Sequence, residues 1–506
     1  MERRDCFRLL GAAGTAALLA GGCSPVQQRF ATVRRTKPLP PLPKGDIAPV
    51  ARLLNRAGFG PTAGDLAAIP SDAREAWLDR QLKAPAHDED EAWQLRLRLR
   101  AVEANRHESA YELRDMKEDE VLEQLQKAAL LRAAYSQWQL RERMVDFWNN
   151  HFNIYARKVL NTNATYARTH LTYFKPLDEA KVIRQHALGR FPDLLKASAR
   201  SPAMLGYLDN NVNQKGVANE NYARELMELH TLGVGGGYTQ KDVQEVARCL
   251  TGWTVEDRPI RLGEADGAIL RRRGAFRFDP KQHDDGEKVV LGTKIPAGGG
   301  EADGLRVLEI LTAHPNCARF LSRKLVRYFR GDEDPAWVDR LAAIYLKTGG
   351  DIGAMLKPML LAPDLVDAPP ILKRPFDFLA SAVRATNADT DGGKGIQRYL
   401  KEMGQPLYEW PMPDGYPDTT AAWTGSLLAR WNFAFALTGG SVGGTQFRLD
   451  ALTREGQKAP DEAALMETVL ARRADDVPEV RKALAAANSP EEQVALLLAS
   501  PAFQWR

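Results

Sequence analysis

Apolar residues recur at helical spacing along most of this chain. The stretches Glu118 to Arg157, Leu321 to Phe329, Pro335 to Thr348, Pro375 to Ala385 and Glu491 to Leu498 place them three and four positions apart, a pattern that predicts a mainly α protein. One island departs from it. GAFRFDPKQHDDGEKVVLG, Gly274 to Gly292, offers two short runs, Ala275 to Phe278 and Lys288 to Leu291, around a turn rich in Asp and Gly. It reads as a β-hairpin inserted among helices over about residues 255–295. Near the C-terminus GQPLYEWPMPDGYP, Gly404 to Pro417, carries four prolines and three aromatics in fourteen residues, so it is not a helix. A long ordered loop of that kind is often functional. SPAML at Ser201, APDLV at Ala362 and SPAFQ at Ser500 each follow a leucine-rich helix end and read as a shared stop signal.

The first 23 residues concern address. MERRDCFRLLGAAGTAALLAGGC has a basic start, an apolar run from Leu9 to Ala20 and small residues before Cys23, the pattern of an export signal. Arg3 and Arg4 ahead of Phe7, Arg8 and Leu9 resemble a twin-arginine signal, and LLAGGC resembles a lipobox that would make Cys23 the lipidated N-terminus. Leu9 to Ala20 is shorter than the roughly 20 apolar residues of a membrane-spanning helix. Residues 24–45, with TKPLPPLPKG, are polar and proline-rich and suit an extended tether. The expected location is the periplasmic face of a bacterial membrane or the cell surface, with the membrane touched through the lipid anchor alone.

Beyond the tether about 460 residues remain, more than one hydrophobic core usually serves, so two helical lobes are expected. Loss of residues 1–22 removes Arg3, Arg4 and Arg8 against Glu2 and Asp5 and takes the formal charge from +4 to +3, a near-balance that gives nucleic-acid binding no support. Cys249 and Cys317 would then be the thiols left, either paired or buried and free; no CxxC pair suggests zinc.

The densest polar pattern is NENYARELMELHTLGVGGGYTQKDVQEVARCLTGWT, Asn219 to Thr254. On a helix, Asn219 to Leu232 gathers Tyr222, Ala223, Leu226 and Leu229 into one arc together with His230, and Glu220, Asn221, Arg224, Glu225 and Glu228 into the opposite one. Glu225 and Glu228 share a face, as a general acid and base require, but Glu220, Arg224 and Glu228 also form an ordinary charge ladder. His230 points away from both glutamates, so this helix makes no metal site by itself. Gly233 is expected as the left-handed cap, and Thr239 with Asp242 as a capping box opening the next helix.

RERMVDFWNNHFNIYAR repeats the oddity of a core-facing histidine. His151 falls among Leu140, Met144, Phe147, Trp148 and Phe152, while Asp146, Asn149 and Asn150 project away. A buried histidine usually satisfies a backbone carbonyl, but two on packed helices would make a polar centre in an apolar wall. The hairpin adds His283, Asp284 and Lys288, and Tyr408, Trp410 and Tyr416 of the proline-rich loop either stack on sugar rings or fix the loop.

These residues resemble the bacterial proteins grouped as domain of unknown function 1800. The likeness runs from RLLNRAGFGPT at Arg52 through FWNNHF, YLDNNVNQKGVANENYARELMELHTLGVGGGYTQKDVQEVARCLTGW, FDPKQHDDGEKVVLG, HPNCARFLSRKL and KRPFDFLASAVRA to MGQPLYEWPMPDGYP and LLLASPAFQ. The resemblance implies a mainly helical, exported protein, often with a twin-arginine signal and encoded beside an exported family resembling sulfatases. It implies no catalytic residues.

The expectation is therefore an exported, lipid-anchored hydrolase acting on a polysaccharide or other envelope polymer through a carboxylate-rich cleft. Glu225 or Glu228 is the general acid or base, Asp209 the second carboxylate, His230 and His151 orienting groups. Asn210, Asn221, Arg224, Trp253, His283, Asp284, Tyr408 and Trp410 contact substrate, Trp253 or Trp410 as a stacking platform. No cofactor is required. The alternatives are a non-catalytic periplasmic protein that docks the sulfatase-like neighbour or a glycan, and a divalent-metal enzyme using His151, His230 and His283 with Asp284.

Overall fold

The computed structural model describes residues 47–85, 91–107, 109–160, 170–256, 274–454, 460–472 and 477–506. The export signal, Cys23 and the tether lie outside the described residues, as does the stretch 257–273 of the expected hairpin insertion. Helices dominate. The elements that position the candidate site are α1 (Ala48–Ala57), α2 (Glu118–Tyr135), α3 (Gln139–His151), α4 (Glu220–Glu225), α5 (Gln240–Cys249), α6 (Pro315–Arg330), α7 (Pro375–Ala385), α8 (Leu427–Thr438) and α9 (Pro490–Ala499). Among the described residues no helix is long and apolar enough to cross a membrane.

The stretch from Glu118 to Arg157 is two helices rather than one. α2 opens on Glu118, Asp119 and Glu120, whose charges complement the helix N-terminus, and stops at Ser136, where the backbone turns extended. The Ser136 hydroxyl donates to Glu91 and accepts from the Trp138 amide, which bends the chain before α3 begins. α3 ends at His151, so Asn153 to Arg157 belong to the adjoining loop.

Buried apolar side chains fall into two main clusters, matching the two expected lobes. The larger takes Leu140, Met144 and Trp148 from α3, Tyr222 and Ala223 from α4, and Leu321 and Leu325 from α6. The smaller takes Phe378 and Leu379 from α7, Phe433 and Leu437 from α8, and Val494 and Leu498 from α9, and reaches Leu130 of α2. A buried carboxylate joins them. Asp377 of α7 pairs with Arg143 of α3, Arg374 and the terminal Arg506, while Arg374 also pairs with Asp146 of α3. Burial works against ionisation there, but the three guanidiniums outweigh it and hold the Asp377 carboxyl well below the usual carboxylate range.

The two apolar runs of the expected hairpin are strands, but they do not pair with each other. β1 (Trp253–Val255) pairs antiparallel with β2 (Phe276–Phe278), and β3 (Lys288–Val290) with β4 (Thr293–Ile295). The segment between β2 and β3 is occupied in docking. His283 Nδ1 donates to the Thr251 carbonyl at 2.8 Å, and the Asp284 amide donates to the Thr251 hydroxyl at 2.9 Å, so this turn folds onto the end of α5 and each strand pairs with its nearer neighbour. β3 and β4 are joined by Leu291 and Gly292, at φ 47° and 75°, the left-handed pair that a two-residue hairpin turn requires. Cys249 and Cys317 are buried free thiols, each pushed up to about 12 by burial.

Candidate functional site

α4 starts from Asn219, whose side chain accepts from the Asn221 amide at 2.9 Å, and keeps α geometry only to Glu225. From Leu226 to Thr231 the helix widens to a π-turn, with the Leu232 amide donating to Met227 at 2.8 Å and the Thr231 hydroxyl to Leu226 at 2.7 Å. The extra residue rotates the last turn of the helix. Met227, His230 and Thr231 are buried and Leu229, expected inside, is only half-buried. Gly233 then takes the left-handed conformation at φ 82°, and Thr239 and Asp242 form the capping box of α5, both as expected.

The outward face of this helix carries the charge ladder. Arg224 pairs with Glu220 at 3.0 Å and with Glu228 at 3.6 Å, and its charge acts on Glu225 less than burial and Glu228 do. Glu225 is half-buried, and its carboxyl is pushed above its ordinary range by burial and then by the adjacent Glu228, with a further contribution from Asp414. Tyr207 and Tyr238 stand at the same spot. Burial raises both phenols, with Glu225 and Asp414 adding to the rise at Tyr207, and Glu228 taking part in bringing Tyr238 to about 12.

Asp414 belongs to the proline-rich loop, and the loop is held by the WNNHFN segment. Asn150 donates to the Tyr416 carbonyl at 2.9 Å and accepts from the Tyr416 amide at 2.7 Å. Asn153 donates to the carbonyls of Trp410 and Met412 at 2.9 and 2.7 Å, and the Tyr207 hydroxyl donates to Pro411 at 2.8 Å. Trp410 is half-buried, and its indole N–H donates to the Asp414 carboxylate at 3.1 Å. Asp414 is therefore held on a fastened loop, and its charge is one of those that act on Glu225.

Behind this face His151 and His230 do meet, with ring centroids 6.0 Å apart. His151 Nε2 lies 3.1 Å from the His230 carbonyl, which can only accept, so this nitrogen carries the proton. Nδ1 is then bare and accepts from Lys324 of α6 at 3.1 Å. Burial, Lys324 and His230 all hold His151 well below the ordinary histidine value. His230 is 1 % exposed and among the described residues neither ring nitrogen has a hydrogen-bond partner; burial and Lys324 bring it down to about 3. Lys324 itself is lowered by burial to about 8 and feels Asp418 and Asp414, which links the histidine pair to the Glu225 face.

The remaining expected site residues lie elsewhere or are already engaged. Asp209, in the left-handed region at φ 58°, is paired with Lys158 at 2.9 Å, and the charges that act on Glu225 are Glu228, Arg224 and Asp414. Asn210 is 1 % exposed and donates to the carbonyls of Leu250 and Trp253, tying α5 to β1. Trp253 is fully buried against Gly304, so it offers no face to a sugar. His283 donates to Thr251 and binds Asp303 at 3.2 Å through Nε2, and Asp284 is pinned bidentate by Arg248 at 2.8 and 3.2 Å. Both act as fasteners of the β-segment, and with both of its nitrogens engaged His283 does not join the other histidines. Among the described residues no group of three His, Cys, Asp or Glu side chains is arranged to hold a metal ion. Asn221 is exposed and donates to the Leu208 carbonyl at 3.2 Å. Tyr408 points inward and donates to Glu179, beside a cavity of about 50 Å³ lined also by Glu142, Asp146, Asn149 and Arg184. That volume suits a few water molecules and no sugar.

Asp414, Lys324, Tyr207 and Tyr238 were not legible as site residues. Asp414 had one signal, its place in an ordered loop of unusual composition; Lys324 sits in a basic helix face that reads as solvated.

The family model described as "Protein of unknown function (DUF1800)" matches residues 52–505. No curated protein matches the chain, and no solved structure does.

Proposed function

The chain belongs to the DUF1800 family, and from that premise, which carries no activity, we propose an exported, lipid-anchored hydrolase of envelope polysaccharide. Glu225 is the proton donor. The observation that carries this reading is a half-buried carboxyl, raised by burial and by Glu228, on which the charge of Asp414 also acts. Two carboxylates in different environments divide the acid and base roles of glycoside cleavage. Asp414 is the second carboxylate in place of Asp209, whose charge Lys158 neutralises. Trp410, half-buried beside Asp414, is the stacking platform, and Arg224 pairs with Glu228 on the same helix face.

The mature protein, purified from membranes, is assayed for release of reducing ends from isolated cell-envelope polysaccharides. Glu225→Gln and Asp414→Asn are each expected to lower the rate by about 10²–10⁴-fold with the circular dichroism spectrum unchanged. The wild-type rate should fall on the alkaline side as Glu225 loses its proton. Wild-type rates in both variants, or no turnover of any envelope polysaccharide, would overturn the proposal.

A further inference from the structure

α8 carries an apolar face that the described residues leave about half exposed. Leu427, Leu428, Trp431 and Phe435 are 43, 69, 48 and 45 % exposed. At about 100° per residue their positions fall within a single arc of roughly 100°. The opposite side of the helix, Phe433, Ala434 and Leu437, is in the core, so the helix is apolar on both sides. The helix itself adds no charge to the exposed arc. Between Thr419 and Gly444 the single ionisable side chain is Arg430, and it is buried, donating to Gln504, Ser426 and the Lys373 carbonyl. Exposed Leu, Phe and Trp on one helix face match the side chains that enter the boundary region of a bilayer.

The chain enters the fold on the same flank. Ala48 and Ala51 of α1 line one depression with Ala502, Phe503 and Arg506, and the preceding helix α9 receives the Trp431 indole N–H at the Ala499 carbonyl, 3.1 Å away. The N-terminal segment therefore enters on the flank of the lobe that carries the exposed face. From Cys23 to Ile47 the chain can span at most about 80 Å, against a radius of gyration of about 23 Å for a body of this length. A tether that long permits every orientation and selects none, so orientation needs a second contact.

We propose that the Leu427–Phe435 face of α8 inserts into the boundary of the lipid bilayer and fixes the orientation of the anchored protein. The inference rests on the reading of an anchored, exported protein for the position of the bilayer. Contact is by apolar burial, so it is insensitive to salt and to anionic lipid.

The test uses the mature exported protein with Phe435→Cys carrying an environment-sensitive fluorophore, and a second preparation labelled at Val234→Cys, a position 82 % exposed on the other lobe. Cys249 and Cys317 are buried and stay unlabelled in the native state. With phosphatidylethanolamine/phosphatidylglycerol vesicles, the label at 435 should move to the emission of an apolar medium at both low and high salt, and the label at 234 should stay aqueous. Leu428→Gln with Trp431→Gln should lower the bilayer-inserted fraction of the 435 label by about tenfold while the protein still floats with vesicles. Flotation with a label at 435 that stays aqueous overturns the inference and leaves the anchor standing. Mass spectrometry of the N-terminal peptide reports acylation of Cys23 separately. A vesicle-independent shift that grows with protein concentration means that a second copy covers the face, which also overturns it.

Discussion

Acid should unfold this protein through His230 before it reaches the carboxylates. The ring is 1 % exposed, has among the described residues no acceptor for a second proton and lies near the Lys324 ammonium, and its pKa falls from 6.5 to about 3. In the unfolded chain the same imidazole titrates near the ordinary value. Between those two values the unfolded state binds one more proton than the native state, so stability is fully present above about pH 6.5 and is lost as the pH falls. One proton corresponds to about 1.4 kcal/mol per pH unit, which gives about 2 kcal/mol lost at pH 5 and about 4 kcal/mol near pH 3. His151, lowered by the same burial, adds in the same direction. The total native stability of a typical domain is about 5–15 kcal/mol, so the effect is decisive. The perturbation is His230→Gln, which keeps a polar group and cannot titrate. Urea unfolding followed by circular dichroism at pH 7.0, 6.5, 6.0, 5.5 and 5.0 gives the slope of stability against pH for each protein. The window stays above the range in which Asp377 and other depressed carboxylates contribute. Wild type should lose about 1.4 kcal/mol per unit more than the variant by the lower end of the window. Equal slopes would refute the argument that the native state excludes the His230 proton.

Two further expectations concern the framework of the site. Asp377→Asn removes the carboxylate shared by Arg143, Arg374 and Arg506 and leaves buried guanidiniums uncompensated, so urea unfolding at pH 7 should show a loss of about 3–5 kcal/mol. Asn150→Ala removes both bonds to the Tyr416 backbone and should cost about 2–4 kcal/mol, with limited proteolysis moving to the 404–418 loop and the Trp410 environment changing in fluorescence.

Much of the local architecture was legible because its causes lie within a turn or two of the residue concerned. Helical spacing gave the helices, Gly233 the left-handed cap, Thr239 and Asp242 the capping box, and Glu220, Arg224 and Glu228 the charge ladder. The core-facing positions of His151 and His230 also came from periodicity, and the two helices do pack. The break at Ser136 was less visible, since Glu91 supplies its partner from another segment.

What the amino-acid order settled unaided is the set of pieces: a helical protein with an ordered proline-rich loop and a polar helix face. Only the packing of distant segments decided which polar groups meet. The charge of Asp414 acts on Glu225 from a loop that Asn150 and Asn153, more than 250 positions away in the chain, fasten, and Trp253 disappears into the core because Gly304 leaves room for its indole. The π-turn at Leu226 to Thr231 turned Leu229 outward against its periodicity. The physical cause is the range of the forces: caps and ladders are settled by neighbours a few residues off, whereas burial, and with it the proton affinity of Glu225 and His230, is set by whatever distant segment packs on top.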